Sequence, residues 1–231
     1  IYPEYKVSRA LPDEDLAFQL NSCRELTERI GLPSLGGSRY EADDYIATMA
    51  RLCREEGRPV TVVTRDKDLG QLIARPEDRW WDFAADTELD TNGFFQRFGV
   101  QPSQFADYLA LVGDSVDDIP GVPGVGPKSA AAVLGSYPNL DEIEANLDTL
   151  GELNIRGAAR LQSSLSEHWE QVRLARRLTG LDAHIPGLAS APAFRPDPAA
   201  VAAFTAALEE LGLSGPLLQR AGKLQRAWEV L

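Results

Sequence analysis

Apolar residues recur at helical spacing along most of this chain, interrupted near the first third by a short β-branched run. Over 13–30, after Pro12, the positions Leu16, Phe18, Leu20, Cys23, Leu26 and Ile30 suit one face of an amphipathic helix, which Gly31 and Pro33 end. A second helix is expected to open at Tyr40 and run to about Glu56. The run Pro-Val-Thr-Val-Val-Thr at 59–64 has the composition of a buried parallel strand, and a helix at 67–73 and a strand at 80–83 follow it. That β-α-β-α order predicts an α/β fold with a mostly parallel sheet flanked by helices. From residue 90 onward nearly everything scans as helix: 91–98, 102–112, 129–134, 139–147, 153–165, 167–178, 198–211 and 216–228, with an extended Ala/Pro-rich connector at 185–198. The division this suggests is an α/β core over 1–112 and a helical region over 113–231.

Candidate chemistry concentrates where the two regions meet. At 113–130 the chain reads Gly-Asp-Ser-Val-Asp-Asp-Ile-Pro-Gly-Val-Pro-Gly-Val-Gly-Pro-Lys-Ser-Ala. Gly121, Gly124 and Gly126 permit positive φ and close backbone approach, while Pro120, Pro123 and Pro127 stiffen the turn. Pro127 suits a first helical position, so N–H groups near Lys128, Ser129 and Ala130 would face an anion at the positive end of the helix dipole. A tight inter-helix turn without a ligand explains the glycines and prolines equally well. The crowding of Asp114 and Asp117 beside that turn favours a segment offering both metal ligands and a phosphate cradle, which points to nuclease chemistry.

Two further acidic groups fit that reading. Glu41, Asp43 and Asp44 open the second helix, where complementing the dipole would account for each alone. On a helix, however, Glu41 and Asp44 share a face with Asp43 about 100° away, so three carboxylates can fan toward one pocket. Asp66 and Asp68 follow the β-branched strand at its carboxyl end, the edge where open α/β sheets bind ligands, although one of them could serve only as a helix cap. His168 and His184 stand alone and suit surface or packing roles.

Charge pulls against a polyanionic partner. The 231-residue chain carries a net charge of −12, whereas nucleic-acid binders usually present a basic surface. Glu41, Asp43, Asp44, Asp66, Asp68, Asp114 and Asp117 contribute seven of its negative charges, and two bound divalent ions would offset part of them. Only Lys6, Lys67, Lys128 and Lys223 are lysines; the other 19 basic residues are arginines, the better phosphate grip. With 44% hydrophobic residues the chain can bury a full core, and no run of about 18 apolar residues suggests a membrane span. Cys23 and Cys53, without metal-binding or redox spacing, suit reduced thiols of a cytoplasmic protein.

Taken together, Tyr-Glu-Ala-Asp-Asp at 40–44, Thr-Arg-Asp-Lys-Asp-Leu at 64–69, the 113–130 segment and Tyr-Pro-x-Tyr-Lys-x-x-Arg at 2–9 resemble the 5′ nuclease family. This family includes the 5′→3′ exonuclease domain of bacterial DNA polymerase I, its stand-alone relatives and the flap endonucleases. The resemblance implies a PIN-like α/β core with a helix-three-turn-helix DNA-binding region. It implies two Mg²⁺ ions, replaceable by Mn²⁺: Glu41 and Asp43 on the first, Asp66, Asp68, Asp114 and Asp117 on the second, and Asp44 between or behind them. Lys6 and Arg9 would be catalytic at the base of the arch that gates the 5′ end. Tyr5, Gly121, Val122, Gly124, Val125, Gly126, Lys128 and Ser129 would contact DNA, with a potassium ion at the turn. The implied substrate is 5′-flap, nicked or 5′-overhang duplex DNA, cut by a cytoplasmic monomer that works beside a DNA polymerase or ligase. The family's opening strand and its first acids would precede Ile1. Asp118 stands where relatives often carry Asn, and Arg65 where a small residue is common. An inactive DNA-binding scaffold of the same fold is the alternative, though it would have no use for seven mutually repelling acids. A calcium-stabilised helical protein is a weaker one, since the Asp-x-Asp-x-Asp-Gly loop is absent.

Overall fold

The computed structural model describes residues 2–194, 197–213 and 215–228. By packing, the chain divides into two units, one comprising 1–9 and 42–189 and the other 10–41 and 190–231. The 112/113 boundary read from the sequence falls inside the first unit. Parts of the expected connector (195 and 196) and the chain ends (1 and 229–231) lie outside the described residues.

In the second unit, α1 (Glu14–Arg29) begins where the Asp13 carboxylate accepts from the Leu16 N–H at 2.8 Å. It packs with α9 (Pro198–Glu210), against which α10 (Pro216–Trp228) also lies. The apolar residues Leu16, Phe18 and Leu20, expected to be buried, are exposed.

The first unit carries every predicted site residue except Glu41. Its sheet has the order β1-β2-β3. Strand β1 (Thr61–Val63) pairs in parallel with β2 (Arg79–Asp82), and β2 pairs antiparallel with β3 (Thr87–Leu89). The sequence signalled the parallel pair but not β3, three residues being too few to show alternation. Helix α2 (Ala42–Glu55) precedes the sheet, and a 3-10 helix, Lys67–Leu72, connects β1 to β2. After the sheet come α3 (Thr91–Phe98) and α4 (Phe105–Val112). Their rings pack into an aromatic cluster: Phe94 and Phe98 both pack on Phe105 with centroids 4.9 Å apart, and Phe105 stacks on Tyr108 at 5.5 Å. Gly70 must be glycine here, because a Cβ would lie 2.1 Å from the Phe94 ring.

Helix α4 runs directly into a two-stranded ribbon, β4 (Gly113–Asp114) against β5 (Ile119–Pro120). The remaining helices are α5 (Pro127–Ser136), α6 (Leu140–Ala145), α7 (Ala158–Glu167) and α8 (Trp169–Thr179). Helix α7 starts five residues later than its apolar pattern suggests, because Gly157 takes a φ of 79° and interrupts the turn. At the base of the ribbon the backbones of Val112, Gly113 and Gly121 touch. A Cβ on Gly121 would lie 2.2 Å from the Val112 carbonyl oxygen and 2.8 Å from the Gly113 nitrogen, neither of which can rotate away. Gly121→Ala is therefore expected to cost about 2 kcal/mol or more. A lowered urea midpoint with an unchanged slope is the signature; an unchanged midpoint would show that the ribbon can spread.

Candidate active site

The two aspartates after β1 have different local duties. Asp66 caps the 3-10 helix, its Oδ1 accepting from the Asp68 N–H at 2.9 Å, while its carbonyl accepts from Trp80 Nε1 at 2.7 Å. The capping role considered from sequence is thus filled by Asp66, and Asp68 turns inward. Lys67 Nζ donates to Asp114 Oδ2 at 2.6 Å and stands 3.2 Å from Asp68 Oδ1. Asp114, whose side chain is only 5% exposed, uses its other oxygen to accept from the Val116 N–H at 2.8 Å, shaping the turn after β4.

Electrostatics follow from that crowding. Burial is the largest influence raising Asp68; Lys67 opposes it, the charges of Asp66 and Asp114 add to it, and the pKa stands at about 6. Asp68 Oδ1 is buried, with the Lys67 ammonium 3.2 Å away at an angle poor for a hydrogen bond. Burial alone would lower the Lys67 ammonium, but the Asp114 hydrogen bond and the Asp68 charge outweigh it and leave its pKa raised. Lys67 is thus held as the ammonium counterion of both carboxylates.

Asp117, three residues beyond Asp114, meets a second set of cations. Its carboxylate pairs with the Arg9 guanidinium, lies 3.6 Å from Lys6 Nζ and is 3.5 Å from Tyr5 Oη. Lys6 also stands over the Tyr5 ring, 4.6 Å from its centroid. The structure therefore brings Lys6, Arg9 and Tyr5 together at Asp117, a contact the sequence did not suggest.

The acidic opening of α2 differs from expectation. The helix begins at Ala42, after Glu41, so Asp43 and Asp44 lie in its first turn and Glu41 precedes it in the second unit. Glu41 stands immediately before the first helical residue and Asp44 three positions on. Asp44 accepts from the Asp182 N–H at 2.9 Å. Among the described residues, no three acidic, histidine or cysteine side chains converge in a ready-made metal cage. Near Asp68, Asp114 and Asp117 the physical reason is visible, since the cations of Lys67, Lys6 and Arg9 stand against the carboxylates. The donor chemistry still fits a hard divalent cation: carboxylates close together, one of them with a raised pKa and a buried oxygen held only by the Lys67 ammonium.

The hairpin is more tightly committed than its composition suggests. Val122 and Val125 are buried, so their side chains belong to the core and only their backbone could meet a ligand. The N–H groups of Ser129 and Ala130 both donate to the Gly126 carbonyl at 3.0 Å, which corrects the expectation that they face an anion. Sequence reasoning also missed the supports. Gln171 Nε2 donates to the carbonyls of Pro120 and Gly121, each at 3.1 Å, and Ser164 Oγ donates to the Pro123 carbonyl at 2.6 Å. Beside the turn a cleft of about 280 Å³ is lined by Pro123, Gly124, Ser129, Arg156, Arg160 and Ser164. Its two arginines went unnoticed in the sequence; the only local signal was Arg-Gly-Ala-Ala-Arg at 156–160, a glycine-started helix with cations one turn apart.

These features define an α/β protein with an acidic strand-end cluster and an adjoining helix-hairpin module. The chain belongs to the 5′-3′ exonuclease family. Residues 1–99 match the family's N-terminal resolvase-like domain, and residues 100–200 match its C-terminal SAM fold. A flap endonuclease Xni from Shewanella amazonensis is 36% identical over 186 residues, covering 80% of this chain and 70% of that protein. DNA polymerase I from Pseudomonas aeruginosa is 40% identical over 179 residues, covering 77% of this chain and 20% of the polymerase. The chain thus spans about a fifth of the length of such polymerase relatives. A solved structure of T5 5′-exonuclease with bound zinc ions shares the fold, with a TM-score of 0.65 at 21% identity, covering 98% of this chain and 76% of that one. No helix among the described residues is long and apolar enough to cross a membrane.

Proposed function

We propose that this protein is a divalent-metal-dependent, structure-specific 5′ nuclease, a 5′→3′ exonuclease and flap endonuclease. It hydrolyses 5′-flap, nicked or 5′-overhang duplex DNA to a 5′-phosphate and a 3′-hydroxyl. The observation that carries this reading is the Lys67-centred pairing of Asp68, just after β1, with Asp114 of β4, whose segment runs straight into the hairpin. The names of the relatives, a flap endonuclease and DNA polymerase I, support the same chemistry.

Mg²⁺, with Mn²⁺ as a substitute, suits an all-carboxylate set of hard oxygen donors. Asp66, Asp68, Asp114 and Asp117 are assigned to one ion, in exchange for the cations now against them, and Glu41 and Asp43 to the other, with Asp44 beside them. Two ions held by these carboxylates would supply an activated water and offset charge on the attacked phosphate. Lys6 and Arg9, released from Asp117, offset further charge at that phosphate. Tyr5 flanks them. The backbone of 121–129, with Lys128, Ser129, Arg156 and Arg160, grips the duplex beyond the cut. Hairpin carbonyls that already accept one hydrogen bond retain a second lone pair for a potassium ion. A cytoplasmic monomer acting beside a DNA polymerase or ligase completes the reading.

Incubating the protein with a labelled 5′-flap duplex tests it directly. Product near the branch is expected in Mg²⁺ and none in EDTA. Tight flap binding without cleavage in either Mg²⁺ or Mn²⁺ would instead establish the inactive scaffold.

A further inference from the structure

Asp118 belongs neither to the carboxylate cluster nor to the hairpin grip, yet its backbone is held at a φ of 56°. L-residues enter that region at a cost, and aspartate and asparagine are among those that tolerate it best. Its side chain shows what the conformation achieves. A single oxygen, Oδ2, accepts from the Ser8 N–H at 2.9 Å and from the Ser8 hydroxyl at 2.8 Å. Asp117 receives the same segment by other means: its carbonyl accepts from the Lys6 N–H at 3.1 Å, and its carboxylate meets the charges of Lys6 and Arg9.

The segment 2–9 is built from turns, with N–H groups of Tyr5, Val7 and Arg9 each donating to the carbonyl three residues before, and Lys6 itself at a φ of 57°. So short a stretch without helix or sheet takes its position from what it docks on. We infer that Asp118, acting through Ser8, is a positioning residue that holds Lys6 and Arg9 at Asp117 and so presents them to the phosphate being cut. The docking half stands on the contacts above, and the catalytic half rests on the nuclease reading. Cations stabilise a transition state most when their ordering is complete before the substrate arrives. Ser8 lies between the two cationic positions, so fixing it restricts both. Because both hydrogen bonds converge on one oxygen, an amide carbonyl can accept them as well; the acceptor matters, not the charge.

Steady-state cleavage of a labelled 5′-flap duplex in Mg²⁺ separates these claims. Asp118→Gly leaves the left-handed backbone accessible and removes the acceptor. Its kcat is expected to fall about tenfold or more, the equivalent of losing the two hydrogen bonds to that oxygen, with KM little changed. Asp118→Asn should stay within about twofold of wild type. Placed in a chain already carrying Lys6→Ala and Arg9→Ala, Asp118→Gly should add less than about twofold, because the groups it positions are gone. A wild-type kcat for Asp118→Gly, or its full loss repeated in the double-alanine background, overturns the inference. Amide exchange of the metal-free protein adds a readout independent of activity: the Ser8 N–H should exchange faster in Asp118→Gly and at the wild-type rate in Asp118→Asn. If the wild type itself never cuts, the nuclease reading fails, and an unchanged Ser8 exchange rate in Asp118→Gly would sink the docking claim as well.

Discussion

Replacing Asp114 with asparagine is expected to lower metal-dependent flap cleavage by about a thousandfold or more, the rate equivalent of several kcal/mol of metal-ion stabilisation. The asparagine is chosen because of what it keeps. Asp114 Oδ1 accepts from the Val116 N–H at 2.8 Å, and an amide oxygen can make the same bond, so the turn into Asp117 and Asp118 survives. What disappears is the negative charge that faces Lys67 Nζ at 2.6 Å and that the proposed mechanism gives to a divalent ion. Alanine would in addition remove the acceptor of the Val116 N–H and would confuse loss of fold with loss of chemistry. Cleavage of a 5′-flap duplex in Mg²⁺, beside near-ultraviolet circular dichroism of the same sample, separates the two. Native dichroism with full activity would remove Asp114 from the catalytic set.

The second large effect concerns a residue with no part in the chemistry. Asp78 has a side chain only 1% exposed, and four donors converge on it: Arg54 Nε at 2.8 Å and the N–H groups of Val60, Ala74 and Arg75 at 3.0, 3.1 and 3.0 Å. Those donors come from α2, from the residue before β1 and from the stretch after the 3-10 helix. One carboxylate therefore fixes both flanks of the loop that carries Asp66 and Asp68. Asp78→Ala removes the carboxylate partner of a largely buried guanidinium, which keeps only the Leu72 carbonyl, and leaves three N–H groups without an acceptor, so a loss of about 3–5 kcal/mol is expected in a urea melt. A loss below about 1 kcal/mol would mean that water replaces the carboxylate.

The same residue sets a pH dependence. Burial, the largest single influence, would raise the Asp78 pKa, but the hydrogen bonds from Ala74, Val60 and Arg54 together outweigh it and hold the pKa below the usual value. A carboxylate depressed in the folded state contributes stability that is fully present above its unfolded pKa, about 3.9, and is lost as pH falls through the lower folded value. In wild type, stability should therefore fall through that acid window, and Asp78→Ala should flatten this part of the profile.

Much of the fold was legible in local chemistry. Capping side chains at Asp13, Asp90 and Asn139 start helices close to where the apolar pattern begins, and Pro127 and Pro216 stand at first helical positions. The acidic motifs and the Gly/Pro hairpin were legible too, because metal ligands and tight turns demand particular residue types at short spacing. Their order along the chain was enough to identify the family. Less legible were features too short for periodicity, such as β3, and helix starts shifted by a residue or more, such as that of α2 at Ala42.

By itself, then, the sequence determined the class of chemistry, the helices and the hairpin, since each depends on residues within a few positions of one another. Tertiary structure decided which charge stands against which. Lys67 is adjacent to Asp68 in the chain but donates to Asp114, 47 positions away, and Ser8 meets Asp118 across 110 positions. It also turned Val122 and Val125 into the core, set Arg156 and Arg160 beside the hairpin and gathered four donors on Asp78. The physical reason is that hydrophobic periodicity records which face of an element is buried, whereas a long-range polar pair depends on how several elements cross, and no local pattern carries that information.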